Sequence, residues 1–470
     1  MSVQDNTLGA DLVVIGAGPG GYTAAIRGAQ RGLDVALVER ETVGGVCVNH
    51  GCIPAKALIH AAGFQKDIQG WNDIGIGTGE VDVDFGAVQA WKRGVIERLD
   101  DDIRASLAAH DVSWVDGTAR FRDSTTVAVE RDGDDLAISF DHAVVATGSE
   151  PMELPGLPFD GKRVISSRDL LQVEAVPDDI VVVGGGYIGM EAVTKFVKFG
   201  ASVRVVEARD RVLPMFEQSV VDAIQETSEM YTDGIYTNAL AEGVEYEDGE
   251  PTLVVDHDGR QRRFETDYVV VAAGRDTTAA RDRLALEHTD VELTDRGFIA
   301  TDDRMRTTDD AIFAVGDAAG EPFLAHVAYR EGKVAAAVAA GGDDSVDDQY
   351  LPAVMYTDPE VAVVGLSESD AREEYGTVLV GEVPLRTSGR ALTANKPDGH
   401  VKVVADGDGA LLGVQVVGAR ASDTIAEATL ALELDATLSD ITGTLHAHPT
   451  FPEMLVDAAE AATGESIHSH

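Results

Sequence analysis

Two cysteines five positions apart, followed by a lysine, are the densest chemistry in this chain of 470 residues. Cys47 and Cys52 are its only cysteines, both within Gly44-Gly45-Val46-Cys47-Val48-Asn49-His50-Gly51-Cys52-Ile53-Pro54-Ala55-Lys56. A regular α-helix separates Cα atoms five residues apart by roughly 8.6 Å, beyond the ~7 Å at which a disulfide closes. The spacing therefore predicts an irregular turn, with Gly51 at positive φ supplying the slack. The run from Ala55 to Ala62 reads as helix and places the pair in its first turn, where the macrodipole favours a thiolate. A redox-active disulfide is the favoured reading, with a buried structural pair and half of a metal site as alternatives. Structural zinc takes about four Cys or His ligands in paired short spacings. This segment offers one C-x-x-x-x-C and His50, so no metal is expected.

Exchange between thiols needs a group that removes a thiol proton near neutral pH, and histidine suits that task. The segment His446-Ala447-His448-Pro449-Thr450-Phe451-Pro452-Glu453 supplies a candidate. A carboxylate on the other ring nitrogen would fix the tautomer and raise the basicity, so His448 and Glu453 form the candidate pair. An ordinary surface histidine is the commoner case near a chain end, and both readings stand on these residues alone.

The elements that must position this chemistry repeat. Asp11-Leu12-Val13-Val14-Ile15 reads as a strand, Gly16-Ala17-Gly18-Pro19-Gly20-Gly21 as a glycine loop opening a helix to Gln30, and Val35-Ala36-Leu37-Val38 as a second strand ending at Glu39. Such glycines let the backbone approach a pyrophosphate at the helix N-terminus, and the acid takes ribose hydroxyls. The pattern recurs in Ile180-Val181-Val182-Val183, Gly184-Gly185-Gly186-Tyr187-Ile188-Gly189, a helix to Gly200, and Val203-Arg204-Val205-Val206 before Glu207. Two nucleotide sites therefore serve one cysteine pair. A flavin exchanges electrons with both a nicotinamide and a dithiol. The first unit, contiguous with the cysteines, is assigned to FAD and the second to the nicotinamide. Glu207 would repel a 2′-phosphate and favours NAD over NADP; Arg204, Arg209 and Arg211 are the nearby residues that could argue otherwise. Strand endings with small residues at Val144–Ser149, Val269–Arg275 and Ile312–Asp317 mark further carboxyl ends, and Asp317 sits where open α/β sheets bind ligands.

The length suffices for roughly three domains with real cores. Pro151, Pro155 and Pro158 mark a linker, giving a boundary near residue 150. From about 350 the pattern changes to alternating strands, Val401–Val404 and Leu411–Val417 around a turn at Asp406-Gly407-Asp408-Gly409, then a helical stretch from Ala421 to Leu434. No apolar run reaches the ~18 residues that span a bilayer, and a basic-then-apolar leader is lacking, so a cytoplasmic protein without membrane partners is expected. The 82 acidic residues outweigh 37 basic ones for a net charge of −45, which excludes nucleic-acid binding. Acidic clusters occur at 100–102, 132–135, 302–303, 343–344 and 347–348. Self-repulsion of that size needs screening, and the composition resembles proteins from organisms with molar salt in their cytoplasm. Disorder is expected only at the chain ends.

The glycine fingerprint, G-G-V-C-V-N-H-G-C-I-P-A-K, the second fingerprint, Gly316-Asp317 and H-A-H-P-T-F-P-E together resemble the flavoprotein disulfide reductases, the class I pyridine nucleotide-disulfide oxidoreductases, over essentially the whole chain. The resemblance is nearest to their lipoamide branch. It implies an α/β fold with two Rossmann-like dinucleotide-binding domains and a C-terminal α+β dimerisation domain: residues 1–150 for FAD and the redox disulfide, 151–275 for NAD, 276–350 completing the FAD site, and 351–470 for the interface. It further implies that Cys47 attacks substrate and Cys52 lies beside the flavin, with Lys56 ion-paired to Glu191 at the reactive edge. Gly16, Gly18, Gly21, Glu39, Ala119, Asp317 and Ala325 would hold FAD. Gly184, Gly186, Gly189, Glu207 and Gly274 would hold NAD, with Tyr187 as a gate. The family is a homodimer in which His448 and Glu453 complete the partner's site, and its His448-Pro449 bond is cis. Ala55 departs from the serine or lysine common there.

The implied reaction is oxidation of a dihydrolipoyl group by NAD⁺ through the Cys47–Cys52 disulfide and FAD. The implied partner is a lipoyl-bearing protein of a 2-oxoacid dehydrogenase complex or a glycine-cleavage system. The alternative enzyme is an NAD(P)H-dependent reductase of a small disulfide of the glutathione or γ-glutamylcysteine type, against which Glu207 argues. A flavoprotein subunit without turnover is the alternative of another class, and the complete set Cys47, Cys52, His448 and Glu453 argues against it.

Overall fold

The structure, a computed structural model, describes residues 7–468 apart from 71–73, 78, 80, 132–134 and 347–349. The acidic positions 132, 134, 347 and 348, and the chain ends where disorder is expected, lie outside the described residues.

The strand Thr7–Ile15 runs into the helix Pro19–Gln30 and the strand Val35–Glu39. Leu12, Val13 and Val14 are all fully buried, which explains the unbroken apolar run: a parallel strand covered on both faces needs no polar alternation. Thr7–Ile15 pairs in parallel with Val35–Glu39 on one side and Leu136–Val145 on the other. Ser113–Asp116 and Ile312–Ala314 extend the parallel part, and Thr126–Glu130 and Thr118–Asp123 add antiparallel strands. Ile312–Ala314 returns the chain to the first sheet from beyond the second fingerprint. That return brings Asp317, on the 3₁₀ turn Gly316–Ala318, to the sheet's carboxyl edge.

The second sheet is all parallel, in the order Ile235–Tyr236, Ser202–Val206, Asp179–Val183, Tyr268–Val271, Val164–Ser166. Its first helix, Tyr187–Phe199, ends at Gly200, whose φ of 102° makes the left-handed cap that stops it. A three-stranded antiparallel sheet of Ala239–Glu247, Glu250–His257 and Arg260–Glu265 is inserted in the chain between Ile235–Tyr236 and Tyr268–Val271.

From residue 353 the chain builds an antiparallel five-stranded sheet in which Gly399–Asp406 pairs with Leu411–Gly418. The helices Ala421–Glu433 and Glu453–Thr463 cover it, packing Ile425, Leu432, Leu455 and Ala458 against Val401, Val403, Val414 and Val416. Lys402 pins this module to the second one: its buried ammonium meets Glu217 at 3.0 Å and Glu368 at 2.6 Å. Leu430, Leu434 and Leu445 remain exposed on the covering layer, Leu445 almost completely. Among the described residues no helix is long and apolar enough to cross a membrane.

Candidate active site

The cysteines occupy the junction of two helices. Cys47 lies in the short helix Gly45–Asn49 and Cys52 opens the helix Cys52–Gly70. This corrects the expectation that both share one first turn: only Cys52 sits at the N-terminus of a long helix, where the macrodipole acts. The slack does not come from Gly51 either, which has no positive φ. Gly44 and Gly45 take positive φ of 85° and 55°, and the chain breaks at His50 with φ −137°. A Cβ on Gly51 would meet the Val46 carbonyl at 3.1 Å, so the residue is small for packing reasons.

Both sulfurs are free thiols, and they are unequal. The hydrogen bond from Cys47 pulls the Cys52 thiol down to about 7 against its burial, with help from the Lys56 charge. The same bond, reinforced by burial, pushes the Cys47 thiol far up. Of the two sulfurs, Cys52 is therefore the one on which a negative charge is favoured. Lys56, on the next turn, ion-pairs with Glu191 at 2.9 and 3.0 Å. Glu191 is buried on the second fingerprint helix and also accepts the Tyr356 amide at 3.1 Å, so its orientation is fixed from two sides.

The two fingerprints are built alike. The Glu39 carboxylate accepts the Ala17 amide at 2.6 Å, and the Glu207 carboxylate accepts the Gly185 amide at 2.6 Å. Each acid thus braces the glycine loop of its own unit. A Cβ on Gly21 would lie 1.8 Å from the Gly16 carbonyl oxygen, and one on Gly189 2.0 Å from that of Gly184. Only glycine allows helix and strand to close there. Gly18 and Gly186, by contrast, face open space at the helix N-termini. A bare backbone there admits a pyrophosphate. Arg204 turns to Asp179 and Asp233 at 3.5 and 3.8 Å, and Arg211 donates to Gln218 and the Pro214 and Phe216 carbonyls. Both are committed to the fold.

A cavity of about 1150 Å³ runs between the two sheets. Its wall includes Gly16, Gly18, Glu39, Cys47, Cys52, Lys56, Ala119, Tyr187, Glu191, Asp317 and Ala325. Gly21, Gly184, Gly186, Gly189, Glu207 and Gly274 are not on that wall. A second cavity, of about 280 Å³, opens on the other side of Cys47, where Ile26, Val48, Ile53, Leu99 and Ile103 make it apolar. Cys47 is the only described residue that faces both.

Several groups escaped the sequence reading. Ser149 donates to Asp317, and Arg275 holds Ser149 at 2.7 Å while standing 3.8 Å from Asp317. The signal for Arg275 was its place directly after Gly274. Tyr22 donates to Tyr329 at 2.8 Å over the smaller cavity, and nothing in the pattern joins residues so far apart. Lys195 also lines the large cavity; it reads in sequence as an ordinary helical lysine.

His448 hydrogen-bonds Glu453 through Nδ1 at 2.8 Å, and the other Glu453 oxygen accepts the Thr450 amide at 2.6 Å. The pair is intact but lies on neither cavity, and the His448 side chain is 80% exposed. Its bond to Pro449 is cis. Among the described residues no group of three or more His, Cys, Asp or Glu side chains is placed to hold a metal ion.

Twin dinucleotide folds facing a dithiol define a class, and comparison with known proteins gives it. The chain belongs to the pyridine nucleotide-disulphide oxidoreductase family, whose model matches residues 10–332, and the model of that family's dimerisation domain matches residues 351–459. Among its relatives are dihydrolipoyl dehydrogenase 2 of Haloarcula marismortui, 45% identical over the whole of both chains, and the dihydrolipoyl dehydrogenase of Haloferax volcanii, 44% identical over all of this chain and 99% of the relative. The enzyme of that name from Bacillus subtilis is 41% identical over 100% of this chain and 99% of its own. LpdA of Mycobacterium tuberculosis superposes with a TM-score of 0.88 at 27% identity, covering 96% of this chain and 99% of that one.

Proposed function

We propose that this protein is a dihydrolipoyl dehydrogenase: it oxidises the dihydrolipoyl group of a carrier protein to the cyclic disulfide, reducing NAD⁺ to NADH and releasing one proton. The observation that carries this reading is Cys47, the one described residue shared by the narrow apolar cavity and the large cavity between the sheets. A thin aliphatic arm bearing a dithiol fits the first, and a dinucleotide fits the second.

The residues present suit FAD and NAD. Open space at Gly18 and Gly186, where each fingerprint helix begins, suits one pyrophosphate apiece. Gly16, Gly18, Gly21, Glu39, Ala119, Asp317 and Ala325 would hold FAD; Gly184, Gly186, Gly189, Glu207 and Gly274 would hold NAD. Bound together, the two cofactors supply a path for an electron pair from dithiol to NAD⁺.

Cys47 accepts attack by the substrate thiolate, because it alone of the two cysteines lines the smaller cavity. Cys52 leaves as the thiolate, because its charge is the better stabilised of the two. Lys56, held by Glu191, keeps a positive charge beside it. His448 takes the substrate proton, and Glu453 fixes its tautomer by holding Nδ1. Since His448 lies on neither cavity of its own chain, it serves Cys47 of a second copy in a homodimer. The exposed Leu430, Leu434 and Leu445 supply apolar surface for that contact. Residues 1–150, 151–275, 276–350 and 351–470 then divide as FAD, NAD, central and interface regions. The carrier belongs to a 2-oxoacid dehydrogenase complex or a glycine-cleavage system, and the acidic surface suits a cytoplasm of high salt.

The test is a parallel assay at low and molar salt: NAD⁺ with dihydrolipoamide against NADPH with glutathione disulfide. Turnover of the first pair, rising with salt, is expected. Faster turnover of the second would replace this reading with that of a small-disulfide reductase.

A further inference from the structure

Ile188, Glu191, Ala192 and Lys195 all line the large cavity, at the spacings that place residues on one face of the helix Tyr187–Phe199. Lys195 closes that row. It is 4% exposed. Among the described residues no carboxylate lies within 4.0 Å of its ammonium and no acceptor takes a hydrogen bond from it. Glu191, its neighbour one turn back, already has both oxygens on Lys56. The wall formed by Lys56, Glu191 and Lys195 therefore holds one more positive than negative charge, inside a protein whose net charge is −45.

A buried ammonium without a partner is costly. Burial, the largest cause, brings its ordinary value down to about 8, with the Lys56 charge adding to the fall and the Glu191 carboxylate opposing it. The cost is offset when the cavity itself holds an anion. The Cys52 thiolate answers chiefly to Cys47 and Lys56, while Lys195 acts on the wall beyond Glu191. Taking FAD to occupy this cavity, as the proposed function does, the anion that Lys195 would meet is the two-electron-reduced isoalloxazine, which loses a proton from its pyrimidine ring near neutral pH and becomes negative.

We propose that Lys195 is a positioning residue that poises the bound flavin: its unpaired ammonium in the cavity wall favours the reduced, anionic ring over the neutral oxidised one. A fixed charge in a poorly solvated site acts strongly on charge that appears during reaction.

The test is the flavin midpoint potential of the FAD-loaded protein, measured against reference dyes in wild type, Lys195→Met, Lys195→Gln and Lys195→Arg. Met keeps the length and loses the charge; Arg keeps the charge. The Met and Gln variants are expected to shift the oxidised-to-reduced ratio at a fixed potential at least tenfold toward oxidised, a downward move of about 30 mV for a two-electron couple. Arg is expected to stay with wild type. Neutral variants that bind FAD with an unmoved potential, an Arg variant that falls with them, or loss of FAD from both neutral variants would overturn the proposal. Absence of dihydrolipoamide turnover in wild type would sink the functional reading and leave this measurement standing.

Discussion

Cys47 gives its hydrogen bond to Cys52 across the break between two helices, and that one contact is the largest cause of the difference between the two thiols. Because the folded value of Cys52 lies below that of a free thiol, its thiolate is favoured above the unfolded value and the benefit is lost as pH falls through about 7. In the reduced protein, Cys47→Ala is therefore expected to move the onset of Cys52 alkylation upward toward about 8.5, the value of a free thiol. Cys47→Ser, whose hydroxyl still donates, should hold it lower. Peptide mass spectrometry after alkylation across a pH series reads the result, and equal onsets in the two variants would contradict the assignment.

His448→Gln is expected to lower kcat/KM for dihydrolipoamide by about 10²–10⁴, the usual loss on removing a general base. Stability should be unchanged, since the side chain is exposed. Hybrid dimers made from His448→Gln and Cys47→Ser chains, each strongly impaired alone, should regain activity because one complete site forms between subunits. Inactive hybrids would show that the histidine serves its own chain.

Glu207 braces the second glycine loop, and on the proposed assignment of that loop to NAD its charge would repel a 2′-phosphate. Glu207→Gln removes the charge while its amide oxygen can still accept from Gly185. The ratio of kcat/KM for NAD⁺ over NADP⁺ should fall about tenfold, equivalent to about 1.4 kcal/mol. An unchanged ratio in steady-state kinetics would move specificity to other residues.

Lys402 stands between Glu217 and Glu368 with 8% of its side chain exposed. Removing one member of a buried ionic group leaves uncompensated charge and costs about 3–5 kcal/mol. Lys402→Met should lose that much in denaturant unfolding at high salt, and the triple variant with Glu217→Gln and Glu368→Gln should recover part of it. A loss below about 1 kcal/mol, as for an exposed pair, would show that the modules do not depend on this contact.

The sequence by itself determined the local machinery. Short-range rules wrote both glycine loops: a strand, a turn only glycine can make and an acid 23 residues past the first glycine produce the same braced loop twice, since each bracing bond stays within its own strand-helix-strand unit. The pair His448 and Glu453 was legible for the same reason. What only the tertiary structure decided were meetings that depend on how sheets stack: Arg275 and Ser149 on Asp317, Tyr22 on Tyr329, and Lys195 in the cavity wall. The irregular turn between the cysteines was legible, but the glycines that shape it were not: Gly44 and Gly45 take positive φ in place of Gly51, because the turn packs against Val46 and Val48. Residue types set which bonds can form, but burial sets which of them hold charge, and burial is a property of the whole fold.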